Sequence, residues 1–87
     1  MNNNIYINIQ LPYEIKYKDV SFYIDELLKK IKQKYDFKLE EEISGHDTAI
    51  SIQLLNIEDI NELNKFFIDI KEKYSDYICQ IIIRIFI

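Results

Sequence analysis

Glycine and proline each occur once in this sequence. That leaves little room for long irregular loops and none for a glycine-rich turn that cradles phosphate. The single cysteine, Cys79, excludes an internal disulfide and fits a reducing compartment. The single histidine, His46, sits far from Cys79 in sequence, so no zinc-ligand spacing exists. No apolar run approaches the roughly 20 residues that cross a bilayer. The opening Met1-Asn2-Asn3-Asn4 lacks the basic-then-apolar profile of a secretory signal. The expected location is the cytoplasm of a bacterium or of a phage-infected cell.

What the chain does have is apolar content. At 48% hydrophobic residues over 87 positions, one domain spanning 1–87 can bury a modest core and offset its ordering entropy. Ile, Lys, Asn and Tyr are abundant, and all four use AT-rich codons, which points to a low-GC genome. The charge is −4 overall and unevenly spread. Residues 1–38 hold seven Lys against five acids, whereas residues 39–76 hold three Lys against ten acids. An acidic half repels nucleic acid. It serves either solubility or a surface aimed at a basic partner.

Two periods alternate along the chain. Ile5, Ile7, Ile9 and Leu11 alternate with Tyr6, Asn8 and Gln10, the signature of a half-buried strand that Pro12 ends. Val20, Ile24, Leu27, Leu28, Ile31 and Tyr35 then recur at helical spacing, with Asp19 or Ser21 as the expected cap. Phe22 and Tyr23 fall off that stripe and join Tyr13 and Tyr17 in an aromatic-rich stretch. Phe37, Leu39, Glu41 and Ile43 alternate with Lys38, Glu40 and Glu42, a second strand with Glu41 on its inward side. Ser44-Gly45-His46-Asp47 reads as a turn. A third strand runs from Thr48 to Leu54. Asn56 or Glu58 is expected to open a second helix with Ile60, Leu63, Phe66, Phe67, Ile70 and Tyr74 as its apolar stripe. A last strand is expected over residues 77–87, with Cys79 as a small buried thiol.

The order βαββαβ predicts an α+β fold of the ferredoxin-like kind: a four-stranded antiparallel sheet in the order 4-1-3-2, with both helices on one face. The other face is then left open. It should present Tyr6, Asn8 and Gln10; Lys38, Glu40 and Glu42; Ala49, Ser51 and Gln53; and Ile82, Arg84 and Phe86. The last strand becomes a sheet edge whose outward side shows Ile82 and Phe86 flanking Arg84. Such an edge is either covered by neighbouring residues or pairs with another strand.

Convergent catalytic groups are not apparent, and the chain is not expected to be an enzyme. His46, placed in a predicted tight turn, suits solvent better than general-base work. Within Glu40-Glu41-Glu42, alternate carboxylates point to opposite faces. No cofactor or metal is expected. Over seven residues, Ile5-Tyr6-Ile7-Asn8-Ile9-Gln10-Leu11 resembles the first-strand motif of RNA-recognition domains, which implies a base-stacking role for Tyr6 beside Arg84. The third strand, Thr48 to Leu54, lacks the aromatic and basic residues that such domains carry there.

The leading expectation is therefore a small acidic protein-binding module. Its class would be a stoichiometric inhibitor of the immunity or phage anti-defence (anti-CRISPR-like) type, blocking a nucleic-acid-binding or catalytic surface of another protein. The candidate partner-binding residues are Tyr6, Glu40, Glu42, Ile82, Arg84 and Phe86. The alternatives are a homo-oligomeric domain, such as a dimer assembled through the last strand, and a weak single-stranded RNA binder.

Overall fold

The computed structural model describes residues 4–12, 14–15, 17–41 and 49–86. The expected turn at residues 44–47, including Gly45 and His46, lies outside them, as do Tyr13, Glu42, Ile43 and Thr48. In chain order the elements are β1 (Ile5–Gln10), α1 (Tyr17–Lys34), β2 (Phe37–Glu41), β3 (Ala49–Leu54), α2 (Ile60–Lys73) and β4 (Gln80–Ile85). The strands form one open antiparallel sheet in the order β2-β3-β1-β4. The class is α+β.

β1 is the strand that the rest is built around. It pairs β3 on one side, with Ile7 opposite Ile52, and β4 on the other, with Ile7 opposite Ile83. Its alternation becomes burial: Ile5, Ile7 and Ile9 are fully buried, while Tyr6, Asn8 and Gln10 are half-buried. Because every second side chain of a strand shares a face, Ile50, Ile52 and Leu54 of β3 complete the same apolar surface. Val20, Ile24, Leu27 and Ile31 of α1 and Leu63, Phe67 and Ile70 of α2 join them in one cluster. Both helices therefore cover the same sheet face.

The helix starts differ from the sequence expectation. α1 begins at Tyr17, so Asp19 lies within its first turn, where a carboxylate suits the helix dipole. Neither Asp19 nor Ser21 precedes the helix as a cap. α2 is capped by Asp59, not by Asn56 or Glu58. Asp59 is extended (φ −123°, ψ 104°), and its carboxylate accepts from the Glu62 backbone N–H at 3.1 Å. Asn56 instead takes a left-handed conformation, φ 59°, which asparagine tolerates better than most residues. That bend delivers Ile57 into the core.

The two edge strands are also corrected. In β2 the register shifts between Leu39, opposite Ile52, and Glu41, opposite Ser51. This bulge breaks the strict alternation that the sequence predicts along β2. Leu39, expected inward, is 47% exposed, because β2 is the sheet edge and Phe37 before it is only half-buried. β4 starts at Gln80, so Tyr77, Ile78 and Cys79 precede it. Ile78 is the buried one, and Cys79 is exposed.

Candidate functional site

The sheet face away from the helices carries the candidate site. Tyr6 stands directly opposite Arg84 in the β1–β4 ladder, and Asn8 stands opposite Ile82. On the other side Asn8 faces Ser51 and donates from Nδ2 to its hydroxyl oxygen at 2.9 Å. Phe86 lies just beyond β4 but is tied to the sheet, because its backbone N–H donates to the Asn4 carbonyl at 2.8 Å. That bond brings its ring edge-on to Tyr6, with centroids 5.3 Å apart and planes at 83°. Quadrupole attraction favours this geometry.

These residues enclose a groove of about 410 Å³ lined by Asn4, Tyr6, Ile7, Asn8, Glu40, Ser51, Arg84 and Phe86. Phe86 is 53% exposed. Glu40 and Arg84 are exposed and bring opposite charges to the same groove, one from each edge strand. Asn8 also lines the groove, although its Oδ1 is buried and without a hydrogen-bond partner. The groove can thus offer an aromatic wall, a cation and an anion.

Four of the six residues singled out from the sequence therefore meet: Tyr6, Glu40, Arg84 and Phe86. Ile82 is half-buried on the same face, next to the groove but outside its lining. Glu42 lies outside the described residues. The Asn8–Ser51 pair was visible as open-face positions, but its bond depends on a cross-strand register that the sequence does not state.

A second groove, of about 490 Å³, runs between α2 and β4 and is lined mainly by Asn64, Phe67, Ile68, Lys71, Ile81 and Ile83. Ile68 is 58% exposed. It is an apolar residue off the core stripe of α2, and that irregularity was its only sequence signal. Phe22 and Tyr23 of α1 are exposed, and Tyr23 stacks on Tyr77 at 4.3 Å. The side-chain hydrogen bond with Tyr23 raises the Tyr77 phenol above its ordinary pKa. On the helical layer, Lys30 and Lys73 both lie over the Tyr74 ring, at 6.0 and 5.8 Å. The neighbouring Lys73 ammonium first, and then desolvation, lower Lys30 below the usual lysine value.

Among the described residues, no group of three or more His, Cys, Asp or Glu side chains is placed to hold a metal ion. Among the same residues, no helix is long and apolar enough to cross a membrane. Comparison with known protein families, with characterised proteins and with solved structures finds no match.

Proposed function

We propose that this chain is a small acidic protein-binding module acting as a stoichiometric inhibitor, of the immunity or phage anti-defence (anti-CRISPR-like) type, in the cytoplasm of a bacterial or phage-infected cell. In this reading the fold is the ferredoxin-like arrangement, read from the β4 edge as 4-1-3-2, and its open sheet face docks on the nucleic-acid-binding or catalytic surface of another protein. The chain is not an enzyme and takes no cofactor.

The observation that carries this reading is the Tyr6–Phe86 aromatic pair beside Arg84 and Glu40, lining one groove on the sheet face away from α1 and α2. Aromatic rings and arginine are the residue types that concentrate binding energy at protein interfaces. Tyrosine and phenylalanine supply contact area at low entropic cost. Glu40, and Glu42 after it in sequence, can compete with nucleic acid for a basic cleft, which makes association sensitive to salt.

The test begins with recovery of the tagged protein's complexes from a low-GC bacterial lysate. The purified partner is then titrated against Phe86→Ala, Arg84→Ala and Glu40→Lys. The expected result is one partner at fixed stoichiometry, with affinity falling at least about tenfold, or ~1.4 kcal/mol, for Phe86→Ala and Arg84→Ala. Glu40→Lys should weaken binding most at low salt. Wild-type affinity in all three variants would remove this face from the reading. Binding of single-stranded RNA by the isolated chain at low salt would replace it.

A further inference from the structure

We propose that two copies of this chain pair through β4, antiparallel about a two-fold axis at Ile83, so that their sheets become one. The edge strands are unlike each other. β2 carries a bulge and the charged residues Lys38, Glu40 and Glu41, devices that discourage edge pairing. β4 has the sequence QIIIRI, with Arg84 as its one charge.

The ladder fixes which backbone groups of β4 face outward. Phe86 donates to the Asn4 carbonyl, and hydrogen-bonded pairs recur at every second residue of an antiparallel ladder. Arg84, Ile82 and Gln80 therefore turn their peptide groups toward β1, and Ile81, Ile83 and Ile85 turn theirs to the edge. The side chains on the same three residues are also poorly covered. Their cross-strand partners Ile9, Ile7 and Ile5 are fully buried. Ile81 and Ile83 are only half-buried beside the α2–β4 groove, and Ile85 is 44% exposed.

A second β4 satisfies both needs together, and charge selects its register. With Ile83 opposite its own copy, Ile81 faces Ile85 in both directions, and roughly six backbone hydrogen bonds form. Arg84 then lies opposite Ile82 of the other copy. A shift that centres the axis on Arg84 sets like charges opposite each other, which is destabilising. A shift to Ile82 leaves Ile85 unpaired at each end. A strand edge alone falls short of the roughly 800 Å² per partner of a stable interface, so the α2 flank must join. It brings Ile68, 58% exposed, together with Lys71 and Glu72, whose opposite charges complement a facing copy of the same helix.

The experiment is sedimentation of the full chain from about 1 to about 200 µM, where mass action populates a dimer of ordinary affinity. The wild type should reach the dimer mass. Ile85→Lys, at an exposed position, and Ile83→Pro, which removes an outward N–H, should stay monomeric with unchanged circular dichroism. In a Cys79→Ser background, Ile82→Cys combined with Arg84→Cys should oxidise to a covalent dimer, because those positions meet as a close non-hydrogen-bonded pair. A wild type that stays monomeric throughout overturns the proposal, as does a dimer that survives both edge variants. Loss of the dimer in the edge variants without cross-linking in the double-cysteine chain overturns the Ile83 register.

Discussion

Ile5 and Ile85 are direct cross-strand partners, yet Ile5 is 0% exposed and Ile85 is 44% exposed. Truncating each to alanine measures how completely β4 is covered in solution. An isoleucine-to-alanine change removes about three methylene equivalents, ~2.4 kcal/mol at ~0.8 each. At Ile5 the cavity left between β3 and β4 adds to this, within the ~2–5 kcal/mol range of buried truncations. At Ile85 only about half the side chain has left water and little cavity forms, so about 1.3 kcal/mol is expected. A domain of this length has a total stability on the order of 4–13 kcal/mol, so both losses are readable in urea unfolding followed by circular dichroism. Ile5→Val, at about 1 kcal/mol, serves if Ile5→Ala leaves too little folded protein. At about 2 µM the Ile5 loss should exceed the Ile85 loss about twofold or more, and near 100 µM the wild type should gain stability that Ile85→Ala does not share. Equal losses at low concentration would refute the reasoning, since β4 would then be as well covered as β1.

Two further outcomes follow from single contacts. Asp59→Ala should cost about 1 kcal/mol by leaving the Glu62 N–H without its cap, and Asp59→Asn should recover most of it; thermal melts of both variants check this. The Lys32 ammonium hydrogen-bonds the Asp36 carboxylate, and this first, then its charge, holds the Asp36 pKa below the ordinary aspartate value. A depressed carboxyl pKa means that the contact contributes above the unfolded-state value and is lost as pH falls through the folded one. Asp36→Asn should therefore flatten the acid limb of the stability curve slightly, and an NMR titration of the Asp36 carboxyl should show the low midpoint move up in Lys32→Ala.

The sequence patterns that survived are those set by local period. Ile5, Ile7 and Ile9 alternate, Ile24, Leu27 and Ile31 recur with the helix, and all are buried. What sequence did not disclose depended on tertiary placement. The β2 bulge is a fit between Glu40, Glu41 and a single partner, Ser51, and nothing in the run Glu40-Glu41-Glu42 announces it. The cap of α2 shifted to Asp59 because Asn56 adopts a left-handed bend that carries Ile57 inward. Cys79 looked like a strand residue, yet burial falls on Ile78, one position earlier. The candidate groove was legible as a face, since period two assigns Tyr6, Glu40, Arg84 and Phe86 to it. Its closure was not, because the Phe86 contact with Tyr6 rests on the hydrogen bond from Phe86 to Asn4.

The acidic bias of residues 39–76 also changes meaning once it is folded. Among the described residues it does not form one field. Glu40 lies on the open sheet face, whereas Glu62, Asp69 and Glu72 lie on α2, in the layer behind the sheet. Part of that second group is already engaged: Glu62 pairs with Lys34 of α1 at 2.9 Å, and this contact raises the Lys34 pKa. Lys71 and Lys73 follow on the same helix. A basic surface approaching the helical layer would therefore meet alternating signs, while one approaching the sheet would meet Glu40 with Arg84 set across the groove. Such an arrangement selects orientation more than it supplies net attraction. In the reading proposed above, Glu40 at the β2 edge steers the partner and the Tyr6–Phe86 pair at the β4 side carries the close contact.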